Sequence, residues 1–513
     1  MKENNANAIF KAIDTSGRGQ IDPASIREAL TNAGLALEDP RLAALKNNLQ
    51  RLGNDGTIDR AGFERLIDSC GGLVSRAVRG ALVVPNFDGF TAQLKEIFTE
   101  VQGETGGEVA QYIPQLARVP ADRFAVSVAT IDGQQLHLGD AAERFTLQSS
   151  CKPFLYCAAL EEHGVDKVHQ HVGREPSGVS FNELALNKNG LPHNPMINAG
   201  AIMTSSLIQR HLPTADRLEH IMQLVGALCG NQRCGLNSAV WHSERETADR
   251  NFALAHYMRE RGAFPENTEI LPTLDYFFSA CSIEMQTSYM ATMGATFANG
   301  GVCPQTGERI FSEQTVKHCL SMMSACGMYD YSGEFAFSVG VPAKSSVSGV
   351  VLAVIPNVMG IVVWSPRLDA CGNSVRGVSF MKKLIDRFSF HNFDSLTTSS
   401  KEDPRANPAV QRTDATYRAI YAASIGDTAE LKRIIAHGHS LDVADYDGRT
   451  PLHLAAAEGH TRAVEYLINQ QVNLLPKDRW GNTPLDDARR HEQEPVRKLL
   501  TMRLPNSAGK KRA

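Results

Sequence analysis

Ten cysteines occur in the chain, yet no two stand in C-x-x-C spacing, which removes zinc ribbons and thioredoxin-type redox motifs. The sequence also lacks G-x-x-x-x-G-K-[ST], H-E-x-x-H and G-x-S-x-G, and with them the commonest NTPase, zinc-protease and α/β-hydrolase chemistries. Neither sign of charge dominates: 52 Lys and Arg against 56 Asp and Glu leave a net charge of -4, so neither nucleic acid nor an anionic membrane is an expected partner. The longest apolar stretch, Gly349–Trp364, is cut by Pro356 and Asn357 into pieces too short to span a bilayer. The opening residues MKENNANAIFKAIDTSGRGQ carry no apolar h-region and no Arg-rich amphipathic face, so no targeting segment is read there. Unpaired thiols and no secretory signal imply an intracellular, soluble protein. The cytoplasm is favoured, and the mitochondrial matrix follows if a transit peptide is missing from this chain.

What is present suits large cores. With 42% hydrophobic and 21% charged residues the composition is that of ordinary globular domains, and 513 residues at roughly 150 per domain predict about three. Residues 1–72 read as short amphipathic helices around two loops starting at Asp14 and Arg51. Each has Gly at position 6, Ile at 8 and Asp at 9, the skeleton of a calcium loop. The ligands are poor: Arg18 and Ser25 stand at positions 5 and 12 of the first loop, and Arg51, Gly53 and Gly62 at positions 1, 3 and 12 of the second. Neither loop is expected to hold calcium, and the region reads as an EF-hand-like helical domain without metal.

Residues 87–393 form the middle domain. Its first strands are Phe124–Ile131 and Gln134–Leu138, joined by the hairpin signal Asp132-Gly133. Its last are read at Ala336–Val341, Val347–Ile355 and Gly360–Trp364, with mostly helical pattern between. An antiparallel sheet built from both ends of the domain around an inserted helical block is the simplest α+β arrangement. A polar linker, 394–412, leads to a repeat: Thr450-Pro451-Leu452-His453-Leu454-Ala455 returns 33 residues later as Thr483-Pro484-Leu485-Asp486-Asp487-Ala488, and Gly459 has its counterpart at Gly426. That period and motif predict ankyrin repeats over 413–503, a surface for a protein partner. A basic tail, 504–513, is read as disordered.

Chemistry concentrates at Ser149-Ser150-Cys151-Lys152. An extended entry followed by a helical pattern puts Ser149 at a helix N-terminus, and a lysine three residues on shares its face and can reach the hydroxyl. The macrodipole and a free backbone N–H there favour a developing oxyanion. Burial beside Pro153, Phe154 and Leu155 would lower the Lys152 pKa toward that of a base. Alone, S-x-x-K is weak, occurring by chance in many chains, and more often marks a helix cap with an exposed lysine. Lys344-Ser345 on a late strand echoes the lysine-hydroxyl motif that faces such a serine in penicillin-recognising enzymes, which points to serine acyl transfer without specifying the substrate.

The segments between decide it. TLQSSCKP from Thr146, PHNPMINAGAI from Pro192, SERETADRNFALA from Ser243 and GMYDYSGEFAF from Gly327 together resemble the serine-dependent glutaminases. EPSG from Glu175, CSIE from Cys281, ANGG from Ala298 and PNVMG from Pro356 also look like that family, and the flanking regions resemble those of its longer, kidney-type members. The resemblance implies a β-lactamase/penicillin-binding-protein-like central domain that hydrolyses L-glutamine. It implies Ser149 as nucleophile, Lys152 as general base and Tyr329 as the residue that helps move the proton. It places the N–H groups of Ser149 and Val347 at the oxyanion, and Tyr112, Gln148, Asn198, Glu244 and Asn251 around the amino-acid end of the substrate. No metal or organic cofactor is implied. A homotetramer stimulated by inorganic phosphate is.

Two positions depart from the family pattern. Phe277 stands where the family has a tyrosine whose hydroxyl touches substrate, with Tyr276 one place early and able to substitute through a local shift. Ser346 stands where the family usually has glycine beside the oxyanion residue. Both keep a second class open, an interaction protein whose middle domain has lost activity. A β-lactamase or peptidase reading is disfavoured by Glu244, which suits a free ammonium group.

Overall fold

The computed structural model of the chain describes residues 9–14, 18–32, 42–52, 56–68, 73–78, 82–178, 184–396, 401–406, 408–436 and 438–504. The chain divides into two compact units, one ending at Arg405 and the other starting at Ala406.

After helical residues 9–13, the first unit continues with helices α1 (Pro23–Asn32), α2 (Ala43–Leu52), α3 (Arg60–Asp68) and α4 (Leu73–Val78) around a two-stranded ribbon, β1 (Gln20–Ile21) and β2 (Ile58–Asp59). Ile21 pairs with Ile58, and both enter a core with Ile26, Leu49 and Phe63. The position-9 carboxylates serve the following helices: Asp22 Oδ1 accepts from Ser25 N at 2.7 Å and Asp59 Oδ1 from Gly62 N at 2.8 Å. Such caps satisfy N–H groups that a helix start leaves without partners. Residues 15–17 and 53–55 of the two loops lie outside the described residues. Among the described residues no group of three or more His, Cys, Asp or Glu could hold a metal ion.

Helix α5 (Phe87–Gln102) and the short α6 (Pro114–Ala117) lead into the main sheet. Strands β3 (Ala125–Thr130) and β4 (Gln135–Gly139) form the hairpin that Asp132-Gly133 predicts. Three late strands complete a five-stranded antiparallel sheet in the order β4-β3-β10-β9-β8: β8 (Ala343–Ser345), β9 (Val350–Ile355) and β10 (Met359–Trp364). Side chains alternate between faces as the two-residue period requires. Val351, Ala353, Ile361 and Val363 point to one core, with α5 and α16 (Val375–Arg387), and Val350, Leu352, Val354 and Val362 point to the other, with the helical block. The α+β layering expected from the sequence is therefore present.

Two expected strands need correction. Ala336–Val341 is the end of a helix, Ser332–Ser338, followed by a turn closed by Val339 N and Gly340 N on Phe335 O at 2.8 and 3.0 Å; at the helix start the Ser332 hydroxyl ties it to the preceding 3-10 turn, donating to Tyr329 O at 2.7 Å and accepting from Met328 N at 3.0 Å. The strand begins only at Ala343. Lys344-Ser345 thus belongs to edge strand β8, and the stretch from Val347 starts in a tight turn closed by Ser346 N to Val350 O at 2.9 Å; β9 follows at Val350.

The inserted block comprises α7 (Lys152–Val168), α8 (Asn198–Leu207), α9 (Thr214–Leu228), α10 (Ser238–Glu246), α11 (Asp249–Glu260), α12 (Ile270–Cys281), α13 (Thr287–Ala298), α14 (Glu313–Cys326) and α15 (Ser332–Ser338). Helix α13 lies directly on the sheet because Gly294 faces Gly360: a Cβ on Gly360 would sit 2.4 Å from Ala295 N. A second sheet, β5 (Phe145–Thr146), β7 (Ile283–Met285) and β6 (Gly235–Leu236), holds the entry to Ser149. Past α16, residues 401–405 of the expected linker pack on the same unit: Glu402 bridges Phe388 and accepts from Gln93 Nε2 at 2.7 Å, and Arg405 lies over Phe390.

The second unit is three helix pairs at the 33-residue period: α17 (Pro408–Ser424) with α18 (Thr428–Ala436), α19 (Pro451–Ala457) with α20 (Thr461–Asn469), and α21 (Pro484–Arg490) with α22 (Glu494–Arg503). Thr450 and Thr483 each close a capping box, and His453 Nε2 reaches Asn482 O of the next repeat at 3.1 Å. Residues 505–513 of the basic tail lie outside the described residues.

Candidate active site

The sequence around Ser149 changes conformation abruptly. Strand β5 ends at Thr146, and Leu147 N still donates to Ile283 O of β7 at 2.8 Å. Gln148 then takes the left-handed conformation (φ 48°), and Gln148–Cys151 form one 3-10 turn that continues into α7. A non-glycine residue in that region costs roughly 1 kcal/mol or more and persists only where the surroundings over-determine it. Tyr329, at φ 53°, is held the same way at the start of its own 3-10 turn. Ser149 stands in the first turn of the helical segment, where N–H groups have no intrahelical acceptor.

Lys152 opens α7 fully buried, and its Nζ lies 2.7 Å from Ser149 Oγ and 2.8 Å from Asn198 Oδ1. Burial lowers its pKa, since the ammonium form is the one that loses solvation. A neutral amine has two N–H donors and one lone pair. With one N–H given to Asn198 Oδ1, the lone pair can turn to the Ser149 hydroxyl. Asn198, at the start of α8, donates through Nδ2 to Asn251 Oδ1 at 3.2 Å, so its amide is fixed from both ends.

Opposite stands Glu244 from α10, 7% exposed, accepting from the Tyr112 hydroxyl at 2.5 Å; that hydroxyl also lies 3.0 Å from Gln148 Oε1. Burial raises the Glu244 pKa, and hydrogen bonds from Tyr112 and Gln148 and the charge of Lys152 oppose the rise. The neighbouring Arg245 is not its partner: its Nε is bonded to Asp275 at 2.8 Å. Tyr112, Gln148, Ser149, Asn198, Glu244, Asn251 and Val347 all line one cavity of about 450 Å³, with Phe277 and Cys281 as apolar wall. Tyr329 completes the group: the Ser149 side chain and the Val347 N–H face its hydroxyl, and burial raises its pKa. Every site residue expected from the sequence is thus brought to one place.

Four features were not read from the sequence. Lys344 is buried behind the ring of Tyr329, 4.4 Å from its centroid, with its Nζ on Gly327 O and Ser345 O. Burial, and then Lys152, lower its pKa well below that of a free lysine. Ser346 does not narrow the cavity. Its hydroxyl turns away from it and donates to Leu147 O at 2.8 Å, tying the turn that carries Val347 to the residue before Gln148. Tyr276 does not replace the missing tyrosine either: it is buried with Arg217 4.1 Å from its ring centroid, and Phe277 alone faces the cavity. Cys281 Sγ lies 3.8 Å from Cys151 Sγ. Phe277 and Ser346 carry a signal in the sequence as departures from a pattern, and Lys344 as part of the lysine-hydroxyl motif, though not its place behind Tyr329. Arg217 stacking and cysteine pairing join residues far apart in the chain.

Comparison with known proteins gives three family-model matches: Glutaminase over residues 107–393, ankyrin repeats (three copies) over 419–508, and an EF-hand domain over 5–85. The mouse protein named glutaminase liver isoform, mitochondrial, is 43% identical over 94% of this chain and 81% of its own length. Putative glutaminase 3 of Caenorhabditis elegans is 45% identical over 92% of this chain and 83% of its own. Among solved structures, a probable glutaminase, ybaS, superposes with TM-score 0.57 at 36% identity, covering 60% of this chain and 98% of the other. Mglu in its glutamate form gives 0.55 at 37%, covering 58% and 69%.

Proposed function

The chain belongs to the glutaminase family and hydrolyses L-glutamine to L-glutamate and ammonia, and we propose that it does so through a γ-glutamyl ester on Ser149. The observation that carries the mechanism is the contact of 2.7 Å between a fully buried Lys152 and Ser149 Oγ. Lys152 takes the hydroxyl proton as Ser149 Oγ attacks the side-chain carbonyl carbon. The N–H groups of Ser149 and Val347 meet the oxygen as it becomes an oxyanion, and one such donor is typically worth about 10²–10³ in rate. Tyr329, facing both Ser149 and Val347, relays a proton to the leaving nitrogen, ammonia departs, and the ester remains. Water, deprotonated by the same lysine and tyrosine, attacks the ester and returns the proton to Ser149 Oγ.

The other end of the substrate is a zwitterion. Glu244 meets its ammonium group, and Tyr112, Gln148 and Asn251 supply hydroxyl and amide groups for its carboxylate. Asn198 spends its Oδ1 on Lys152, so it orients the base as well as lining the site. The pH dependence follows in sign. Glu244, with its pKa raised, is neutral at low pH and gains the charge that holds the ammonium as pH rises. Lys152, with its pKa lowered, becomes a base at lower pH than a free lysine. Both push activity up as pH rises, Glu244 by gaining charge and Lys152 by losing its proton.

The proposal extends to a homotetramer stimulated by inorganic phosphate, with the ankyrin unit free to engage a protein partner. It is supported by similarity to the longer glutaminases over 94% of the chain. An intracellular setting, cytoplasmic or mitochondrial, fits the nine described cysteines, all free thiols, and the word mitochondrial in the name of the mouse relative. Among the described residues no helix is long and apolar enough to cross a membrane. The test is release of ammonia and glutamate by the purified full chain, with Ser149→Ala as control. Wild-type protein inert on millimolar glutamine, with or without phosphate, overturns the reading. Sedimentation with and without phosphate checks the assembly.

A further inference from the structure

Six of the nine described cysteines face one another as three pairs: Cys151 with Cys281, Cys157 with Cys319, and Cys229 with Cys234. All four thiols of the first two pairs are buried; burial raises the pKa of Cys157, and the hydrogen bond with Cys151, then burial, raises that of Cys281, which makes both poor nucleophiles.

The third pair is built differently. Cys229 caps the end of α9, and two consecutive left-handed residues, Gly230 (φ 78°) and Asn231 (φ 63°), fold the chain back toward β6. That reversal brings together thiols five residues apart. Cys234, immediately before β6, is only partly buried, whereas Cys229 is fully buried. Arg144 sits against the same backbone: its Nη1 lies 2.9 Å from where a Cβ on Gly235 would be, and it pairs with Glu284 at 3.3 Å. The neighbouring Cys229 thiol, and then the Arg144 charge, hold the Cys234 pKa below that of an ordinary thiol against the opposing effect of burial. A thiolate favoured by a cation, reachable from solvent and backed by a second thiol is the arrangement that reacts with peroxides.

We propose that Cys234 and Cys229 are an oxidation site for hydroperoxides, closing to a disulfide that adjusts the glutamine site. The Cys234 thiolate attacks one peroxide oxygen. The O–O bond breaks, the sulfur becomes a sulfenic acid, and hydroxide leaves. Cys229 then attacks the sulfenic sulfur, the S–S bond forms, and the hydroxyl leaves as water with the Cys229 proton. The two thiols together lose two electrons, and the peroxide gains them.

The consequence for the site runs through β6, which pairs with β7, which pairs with β5, the strand that ends two residues before Gln148. Asn237, three residues past Cys234, caps α10, the helix that carries Glu244. Closing the disulfide pulls on both. This last step rests on the glutamine-hydrolysis reading, and the thiol chemistry does not.

The experiment exposes the reduced full chain to a small excess of hydrogen peroxide and maps disulfides in tryptic digests. Arg233 lies between the two cysteines, so the bond appears as two cross-linked peptides. The expected result is a Cys229–Cys234 link that forms before any other, is reversed by dithiothreitol and is absent in Cys234→Ser. In Cys229→Ala, Cys234 stops at a sulfenic acid trapped by dimedone. Arg144→Gln slows the reaction about 3–10-fold. Oxidation of other cysteines while Cys234 stays reduced overturns the site. Glutaminase kcat/KM is expected to fall at least about twofold as the link forms and to recover on reduction. A complete link with unchanged kcat/KM overturns the coupling, and that result is distinct from a reduced protein inert on glutamine.

Discussion

Two regions of the first unit carry a recognisable motif skeleton, and they commit their side-chain atoms differently. In the EF-hand-like pair the glycine, isoleucine and aspartate positions survive and the ribbon of Ile21 and Ile58 forms, but Asp22 and Asp59 point to the backbone N–H groups of Ser25 and Gly62. Both oxygens of Asp22 and Oδ1 of Asp59 are taken by the fold itself. At Ser149 the polar groups converge on a cavity and its edge, and each is fixed by another: Lys152 by Asn198, Asn198 by Asn251, Glu244 by Tyr112. The difference teaches that spacing specifies the backbone, whereas function depends on where the side-chain atoms are committed.

That contrast can be broken most severely at the nucleophile and its base. Ser149→Ala and Lys152→Met are each expected to lower kcat by at least about 10³-fold, and the double variant to be little worse than either, as for residues acting as one unit. Steady-state glutamine hydrolysis measures it. Glu244→Gln should raise KM by about 10–100-fold, since a charge-assisted bond to the ammonium is lost, and should remove one ionisation from the acid limb of the kcat/KM profile. Phe277→Tyr restores a hydroxyl to the wall and is expected to lower KM by about 3–10-fold, the worth of one hydrogen bond. A large gain in kcat as well would mark a decayed site. Ser346→Gly frees the turn bearing Val347 from Leu147 and should reduce kcat by about 2–5-fold with KM unchanged.

The smallest effects belong to the N-terminal region. Asp22→Ala and Asp59→Ala remove helix caps and should each cost about 1 kcal/mol, read in urea unfolding of that region. Millimolar calcium should leave both the unfolding curve and the activity where they are.

Much of this was legible from the chain. Asp132-Gly133 and β-branched alternation located β3, β4 and β10, and the 33-residue period located the repeats. The polar segments around Ser149, Asn198, Glu244 and Tyr329 named a site whose members the fold gathers around one cavity and its edge. The misreadings have local causes. Ala336–Val341 is apolar enough for a strand, but its first half completes the helix Ser332–Ser338, which starts directly after the 3-10 turn of Tyr329. Tyr276 looked interchangeable with a tyrosine at 277 until Arg217, on another helix, claimed its ring. Helical period decides which of two adjacent residues faces the cavity, and no composition at a single position reveals that. Thiol pairing and the Ser346–Leu147 bond join positions as many as 199 residues apart and have no signature in sequence spacing.

The central claim is that hydrolysis passes through an ester on Ser149. Partitioning by hydroxylamine tests it most directly: glutamine and a γ-glutamyl alkylamide are hydrolysed in its presence, and the ratio of γ-glutamyl hydroxamate to glutamate is measured for each. A common acyl-enzyme requires the same ratio from both leaving groups and no hydroxamate from Ser149→Ala. A ratio that changes with the leaving group, or hydroxamate formation that survives Ser149→Ala, would contradict it.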